Sequence, residues 1–279
     1  MSGSCTVAIV NWNSGSRLRT CIESLNDLEI LVIDNASDDD SLDSLPAGRN
    51  VSVVRNAINR GFAAAVNQAF HATSSAYVLV LNPDVRSTPR AVHLLKAFLD
   101  TNSRAAAVAG YAGDKYLPRT LPTVLTLTRE NLGFGKGTRG RPPTPPTPPF
   151  PVEQPAAAAL MIRRAAFDDV GGFDERFYPA WYEDVDFCLR LKAKGWEIYF
   201  APEAEFQHEG GYSARTMGSE SFLRSYYSNQ LRYAHKHFDV FGAAAVRASI
   251  AAGMLVRMIG RPSDAGAYGK AFIGALAKW

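Results

Sequence analysis

Short apolar runs alternate with segments of helical spacing over the first hundred residues. TVAIV (6–10), EILVID (29–34), VSVV (51–54) and YVLVL (77–81) read as strands, apolar along most of their length. Between them SRLRTCIESL (16–25) sets Leu18, Cys21, Ile22 and Leu25 at helical spacing, and FAAAVNQAFHA (62–72) reads as a second helix. TPRAVHLLKAFLDT (88–101) starts with Thr88 in the capping position and Pro89 behind it, the order a helix start prefers. AAAVAGY (105–111) is a further strand. Such alternation predicts a doubly wound α/β half, a parallel sheet covered on both faces. Ligands of these sheets bind beyond the carboxyl ends of the strands.

From Tyr111 to Gln154 the pattern dissolves, and RPPTPPTPPFP (141–151) can form neither helix nor central strand, because proline supplies no backbone donor. It reads as an exposed loop. AAAALMI (156–162) returns as a buried strand, residues 171–196 as a turn and a helix, EIYFAP (197–202) as a strand, and QHEGGYS (207–213) as a glycine-rich loop. SFLRSYYSNQLRYAHKHF (221–238) is an amphipathic helix with Phe222, Tyr226, Asn229 and Tyr233 down one side. The apolar stretch from Val240 to Ile259 has membrane-spanning length, but Arg247 sits near its middle. A central arginine costs about 2.5–3.5 kcal/mol on insertion scales, so a helix packed on the body or lying on a membrane surface is expected instead.

Composition changes this picture little. A net charge of +3 over 279 residues gives no case for nucleic acid, and Asp38–Asp39–Asp40 is the one block of like charge. Cys5, Cys21 and Cys188 lack metal-type spacing and read as small apolar residues in a reducing compartment. With no basic, apolar leader visible in MSGSCTVAIV, a cytoplasmic location is expected.

The candidate chemistry lies at the strand ends. Strand one runs into Asn11-Trp12-Asn13, strand two into Asp34-Asn35-Ala36-Ser37, and strand four into Asn82-Pro83-Asp84, all along one sheet edge. Neither a dinucleotide fingerprint nor a P-loop occurs there, so a phosphate would be held another way, through a metal. Glu183-Asp184-Val185-Asp186 opens a helix, where acids complement the helix dipole. Asp186 precedes Arg190 by four residues and reads as half of a helix-surface pair. Glu183 and Asp184 follow the aromatic PAWY, a setting in which a carboxylate can serve as general base. His208 precedes two glycines that would let backbone approach a ligand closely.

Taken in order, IVNWNSGSRLRTCIESL, ILVIDNASDDDS, NRGFAAAVNQAF, LVLNPDV, GGFDERFYPAWYEDVDFCLRLKAKGW and PEAEFQHEGGYS resemble the family 2 glycosyltransferases of bacterial cell-surface polysaccharide synthesis, most of all their rhamnosyltransferase-like branch. The resemblance covers residues 6 to about 238. It implies a GT-A fold over 1–238, with a nucleotide-sugar half (about 1–110) and an acceptor half (111–238, carrying the Pro-rich loop 141–151), then a helical extension over 239–279. It also implies roles. Asp34 would contact the nucleotide base beside Asn11, and Asn59, Gly61, Phe62 and Asn67 would line the donor pocket. Asn82-Pro83-Asp84 takes the place of the Asp-x-Asp metal motif, with Asn82 on the donor and Asp84 on Mg²⁺ or Mn²⁺. His208 would lie near the metal and diphosphate, and Asp184 would be the catalytic base, Glu183 being the other candidate. In this chain Asn82 replaces the first acid, Ala157 stands where glycine is common, and FYPAWYED is one residue longer than the usual spacing.

The expected activity is inverting, metal-dependent transfer from a dTDP-, UDP- or GDP-sugar to a saccharide or lipid-linked saccharide. Trp181 and Tyr182 would stack on a sugar, and Arg119 would reach an anionic acceptor. Arg247, Arg257, Arg261, Lys270 and Lys278 in the apolar tail suit either peripheral membrane contact or a homodimer. Two alternatives stay open: a degenerate transferase that binds a sugar nucleotide without turnover, and a nucleotidyltransferase.

Overall fold

The computed structural model describes residues 3–25, 28–43, 45–46, 50–135, 148–210 and 217–276. Its central sheet runs β3-β2-β1-β4-β8-β6-β9-β7. β1 (Cys5–Asn11), β2 (Ile30–Asp34), β3 (Val51–Arg55) and β4 (Tyr77–Leu81) are mutually parallel, with α1 (Ser16–Glu23) and α2 (Phe62–Ala72) as crossovers. Side chains alternate to both sides: Ala8, Val10, Leu31, Ile33, Val78 and Val80 enter one core, Val7, Ile9, Ile30, Val32, Leu79 and Leu81 the other. Burial on both faces is why β1, β2 and β4 are apolar along most of their length, whereas β3, at the sheet edge, is largely exposed and carries Ser52 and Arg55. α3 (Pro89–Thr101) starts as expected, with Thr88 Oγ1 accepting from Ala91 N at 3.2 Å.

The second half departs from an all-parallel sheet. β8 (Ala159–Arg163) inserts antiparallel between β4 and β6 (Ala105–Tyr111), and β9 (Glu197–Glu205) then pairs parallel with β6. The expected structureless stretch from Tyr111 to Gln154 also contains regular structure: a turn of 3₁₀ helix at Asp114–Tyr116, α4 (Val124–Asn131) and β7 (Phe150–Val152). β7 is the outermost strand, the one place where Pro151 can lack a donor at little cost. Residues 141–147 of the Pro-rich segment and 211–213 of the glycine-rich loop lie outside the described residues.

α5 (Arg164–Val170) and α6 (Glu183–Ala193) follow β8. Beyond the sheet, α7 (Ser219–His237), α8 (Val240–Gly260) and α9 (Ala265–Leu276) pack with α4 and the start of α6 around a third core, containing Leu127, Phe177, Tyr182, Tyr233, Val246 and Ile250. α8 is bound to the body by its arginines. Arg257 donates to Asn131 O at 2.7 Å and Arg247 to Ala275 O at 3.2 Å. By length and composition α8 could cross a membrane, and about a third of its apolar window (33%) is buried. Its outer face carries Phe241, Ala244, Ala245, Ala248, Ala252, Leu255, Val256 and Ile259, all exposed and all apolar.

Candidate active site

β1, β2 and β4 end side by side, so their polar exits share one edge of the sheet. At the first two ends Asn11 and Asp34 are paired in register and buried. Asn11 Nδ2 donates to Asp34 Oδ1 at 2.8 Å and to Ser41 Oγ at 2.9 Å, and its Oδ1 accepts from Ser14. Ser37 Oγ donates to the same Asp34 oxygen at 2.6 Å. This is a preorganised polar knot that fixes the Asp34 carboxylate.

The next loop meets the site through Gly61, whose φ of 86° lies in the left-handed region. A Cβ there would stand 2.9 Å from the Tyr178 ring and 3.0 Å from Pro179 O. The close approach lets Phe62 N donate to Pro179 O at 2.7 Å. Asn59 Oδ1 accepts from Gly61 N at 2.9 Å and shapes the turn. Asn67 departs from its expected place in the donor-pocket wall. Its Nδ2 donates to Phe173 O and Glu175 Oε1 and its Oδ1 accepts from Phe173 N, so it braces α2 against the 173–175 turn.

A cavity of about 550 Å³ opens where the two halves meet. Its wall includes Phe62, Asn82, Asp84, His208, Arg119, Gln154, Trp181, Tyr182, Glu183 and Asp184. Asn11, Asp34, Asn59, Gly61 and Asn67 are not in its wall.

Asp84 follows β4 and leads into β5 (Val85–Arg86), which pairs antiparallel with β10 (Gln207–His208). That two-stranded ribbon brings His208 Nε2 to 3.0 Å from Asp84 Oδ1. Burial opposes ionisation of Asp84, yet the His208 contact and the backbone N–H groups of Asp84 and Gly210 prevail and hold its carboxyl below the ordinary range. The His208 ring stacks on Tyr116, centroids 4.1 Å apart, and its Nδ1 is buried with no partner among the described residues. Among those residues no three of His, Cys, Asp and Glu converge on one point. The Asp84 carboxylate, the His208 Nε2 beside it and the Asn82 amide in the same wall nevertheless fit a hard divalent ion, which keeps several waters and is completed by substrate phosphates.

In the same cavity wall α6 is launched by two consecutive left-handed residues, Trp181 (φ 75°) and Tyr182 (φ 72°), an uncommon and strained conformation for aromatic side chains. The turn sets Glu183 and Asp184 at the helix start, on the cavity wall. Trp181 stands edge-on to Phe222, centroids 4.9 Å apart. Tyr182 is almost wholly buried, and its hydroxyl accepts from Gln230 Nε2 at 2.7 Å. It is a wall residue, with its polar end turned into the helical core. Asp184 Oδ1 accepts from Val185 N at 2.8 Å and Oδ2 from Gln154 Nε2 at 3.3 Å. Glu183 Oε2 is buried without a partner among the described residues. Burial, then the Asp184 charge beside it, drives the Glu183 carboxyl well above its ordinary range. Burial raises Asp184 as well, against the Val185 and Ala157 N–H groups and the Arg119 charge.

The surface pair expected for Asp186 needs correction. Arg190 Nε does lie 2.8 Å away, but Asp186 is fully buried and also meets Lys236 and His237 of α7. Residues that the pattern did not single out are Tyr116, Gln154 and Glu130, which enter the cavity wall from the segment between β6 and β8. Only the Thr123-x-x-Thr126 capping box, satisfied in both directions, signals α4 in the sequence.

A family model described as glycosyl transferase family 2 matches residues 6–171, and one described as glycosyl transferase family group 2 matches 151–258. The N-acetylglucosaminyl-diphospho-decaprenol L-rhamnosyltransferase of Mycobacterium tuberculosis is 26% identical over 262 residues, 83% of this chain and 84% of its own. The pre-mycofactocin glycosyltransferase of the same species is 29% identical over 216 residues, 73% of this chain but only 42% of its own length. Among solved structures, a Pyrobaculum calidifontis mannosyltransferase in complex with GDP-Man and Mn²⁺ superposes with a TM-score of 0.60 at 12% identity, covering 99% of this chain and 86% of that one. GalNAc-T7 with UDP, GalNAc and Mn²⁺ gives 0.58 at 16% identity, covering 94% and 57%. Both likenesses are of fold: a mostly parallel central sheet flanked by helices, of the GT-A type.

Proposed function

The chain belongs to glycosyl transferase family 2, and on that premise we propose that it moves a sugar, with inversion, from a nucleotide-diphosphate donor to a hydroxyl of a saccharide or lipid-linked saccharide. The observation that carries this reading is a single cavity whose wall contains both the Asp84–His208 pair and the Glu183–Asp184 pair. A deoxyhexose such as rhamnose is the favoured donor sugar, supported by the rhamnosyltransferase aligned over most of both chains.

Asp184 accepts the proton of the acceptor hydroxyl while that oxygen forms its bond to the anomeric carbon. The bond from that carbon to the diphosphate breaks on the opposite face, and the leaving group departs with the electron pair. Asp84, His208 and Asn82 would hold Mg²⁺ or Mn²⁺, which when bound supplies positive charge against the leaving diphosphate. The nucleotide base would extend beyond the cavity to the strand end where the Asn11–Asp34 knot fixes a carboxylate, and Trp181 in the cavity wall offers a sugar-stacking surface.

The outer face of α8 lies on the membrane surface in this reading, where a lipid-linked acceptor would be met from the cytoplasmic side. An apolar face with no acid from Val240 to Gly260, arginines bound into the body, and exposed Arg261 at the helix end support lying on the bilayer over crossing it.

The test is hydrolysis and transfer with a panel of dTDP-, UDP- and GDP-sugars, with Mn²⁺, Mg²⁺ or chelator. Metal-dependent release of one nucleotide, lost in Asp184→Asn, is the expected result. Binding of a donor with no turnover in the presence of candidate acceptors would replace this reading with that of a sugar-nucleotide-binding protein.

A further inference from the structure

Two adjacent carboxyls face one cavity, yet the reaction needs one base. Their surroundings differ in a way that selects between them. Each Asp184 oxygen has a donor: Val185 N on Oδ1 at 2.8 Å, Gln154 Nε2 on Oδ2 at 3.3 Å. Of the two Glu183 oxygens, Oε2 has none among the described residues, and the donor that favours the charged form of Glu183 is its own backbone N–H.

Gln154 is itself held. It is 8% exposed, and its main chain forms an isolated antiparallel bridge with Arg119: Arg119 N donates to Gln154 O at 2.8 Å, and Gln154 N to Arg119 O at 3.1 Å. Its Nε2 also donates to Pro155 O at 3.1 Å. One bridge thus delivers both an amide donor and a guanidinium charge to the Asp184 side of the cavity.

We propose that Gln154, with the Arg119 bridged to it, is the positioning residue that makes Asp184 rather than Glu183 the proton-accepting carboxylate. Donors that bond a carboxylate favour its charged form, and of two buried carboxyls the one with fewer donors keeps its proton. Two carboxyls in contact share what proton there is, so anchoring charge on one leaves the proton on the other. The remaining groups fit this division. On α6 itself Asp184 is faced by Glu183 and Cys188; Tyr226 reaches it from α7, Arg119 from the segment before α4, and Glu130 of α4 lines the same cavity. Lys115 and His208 also line the cavity, but Arg119 is the cation whose charge acts on Asp184. The assignment of a base rests on the transferase reading; the assignment of the proton does not.

The experiment compares wild type, Glu183→Gln, Asp184→Asn, Gln154→Met and Gln154→Glu in two ways. Infrared spectra of the protein alone at neutral pH should show a protonated carboxyl band that Glu183→Gln removes and Asp184→Asn leaves. In the Gln154→Met background the band should become sensitive to Asp184→Asn as well. With the donor that the nucleotide-sugar panel selects, Gln154→Met should lower kcat about tenfold with KM for the donor unchanged, and move the acid limb of the pH profile to higher pH. Gln154→Glu, which adds a third acid, should move it further. A band removed by Asp184→Asn alone in the wild type overturns the proposal, as does an acid limb unmoved by Gln154→Met. If wild type turns over no nucleotide sugar, the transferase reading fails and the spectra alone decide the role of Gln154.

Discussion

Lys236 Nζ lies 2.6 Å from Asp186 Oδ1, a carboxylate that no solvent reaches, and 2.7 Å from Asp174 Oδ2. One lysine of α7 thereby ties the helix that carries Asp184 to the turn that precedes it. Arg190 and His237 complete the shell around Asp186. Burial works against ionisation of both acids, but these partners prevail and hold both below the ordinary carboxylate range.

Asp186→Asn leaves Lys236 and Arg190 without their buried counter-charge, and a stability loss of about 3–5 kcal/mol is expected in urea unfolding near neutral pH. The pH dependence has a definite sign. Acids with lowered folded values contribute fully above about pH 4, their unfolded value, and lose that contribution as pH falls through the folded one. The gap between wild type and Asp186→Asn should therefore narrow on acidification; a gap constant from pH 7 to pH 3 would contradict the account.

Gly61 is replaceable only at a cost, because the left-handed backbone and the Tyr178–Pro179 wall both exclude a side chain. Gly61→Ala should lower stability by about 1–3 kcal/mol and weaken nucleotide-sugar binding more than Asn59→Ala does. Thermal melts and calorimetric titration of the two variants check this.

Much of the first hundred residues was legible because most of the strands there carry their own signature: a short apolar run that ends in a polar turn. Strand ends with Asn11, Asp34 and Asp84 could be placed on one edge from that pattern alone. The antiparallel insertion of β8 was not legible, since AAAALMI reads the same in either direction of pairing. Asp186 was misplaced on the surface because Lys236 and His237, which bury it, lie fifty residues further on. Gln154 gave no signal for the same reason: its partner Asp184 is thirty residues away, across a segment with no clear period. Pattern reports the local half of such contacts, and pairing across the chain supplies the rest.

The exposed face of α8 should bind lipid. Phe241 and Ile259 are 81% and 84% exposed, one near each end of the helix on the same side. A charge at either place touches nothing in the body, so Phe241→Asp and Ile259→Asp should leave the melting temperature unchanged. Both should reduce flotation with vesicles containing anionic lipid, and the double variant should abolish it. If flotation persists while sedimentation shows the wild type to be dimeric and the variants monomeric, the face is a subunit interface instead.

The Asp84–His208 contact carries the last prediction. His208 is presented by its pairing with Val85, and Asp84, just ahead of the ribbon, by its backbone oxygen accepting from Glu209 N at 3.1 Å, so neither side chain is needed to hold the other in place. Asp84→Asn and His208→Ala should therefore fold normally. Their effects on a divalent ion should differ. Asp84 supplies the one charge of the set, since Asn82 stands where an acid could add a second. Its removal should weaken Mn²⁺ binding, followed by the ion's electron paramagnetic resonance, about 100-fold in the presence of nucleoside diphosphate. His208→Ala removes a neutral donor and should cost about tenfold. Asn82→Asp restores a second charge and should tighten binding relative to wild type. Equal loss in both deletions, with no gain in Asn82→Asp, would mean that the nucleotide rather than this ribbon holds the ion.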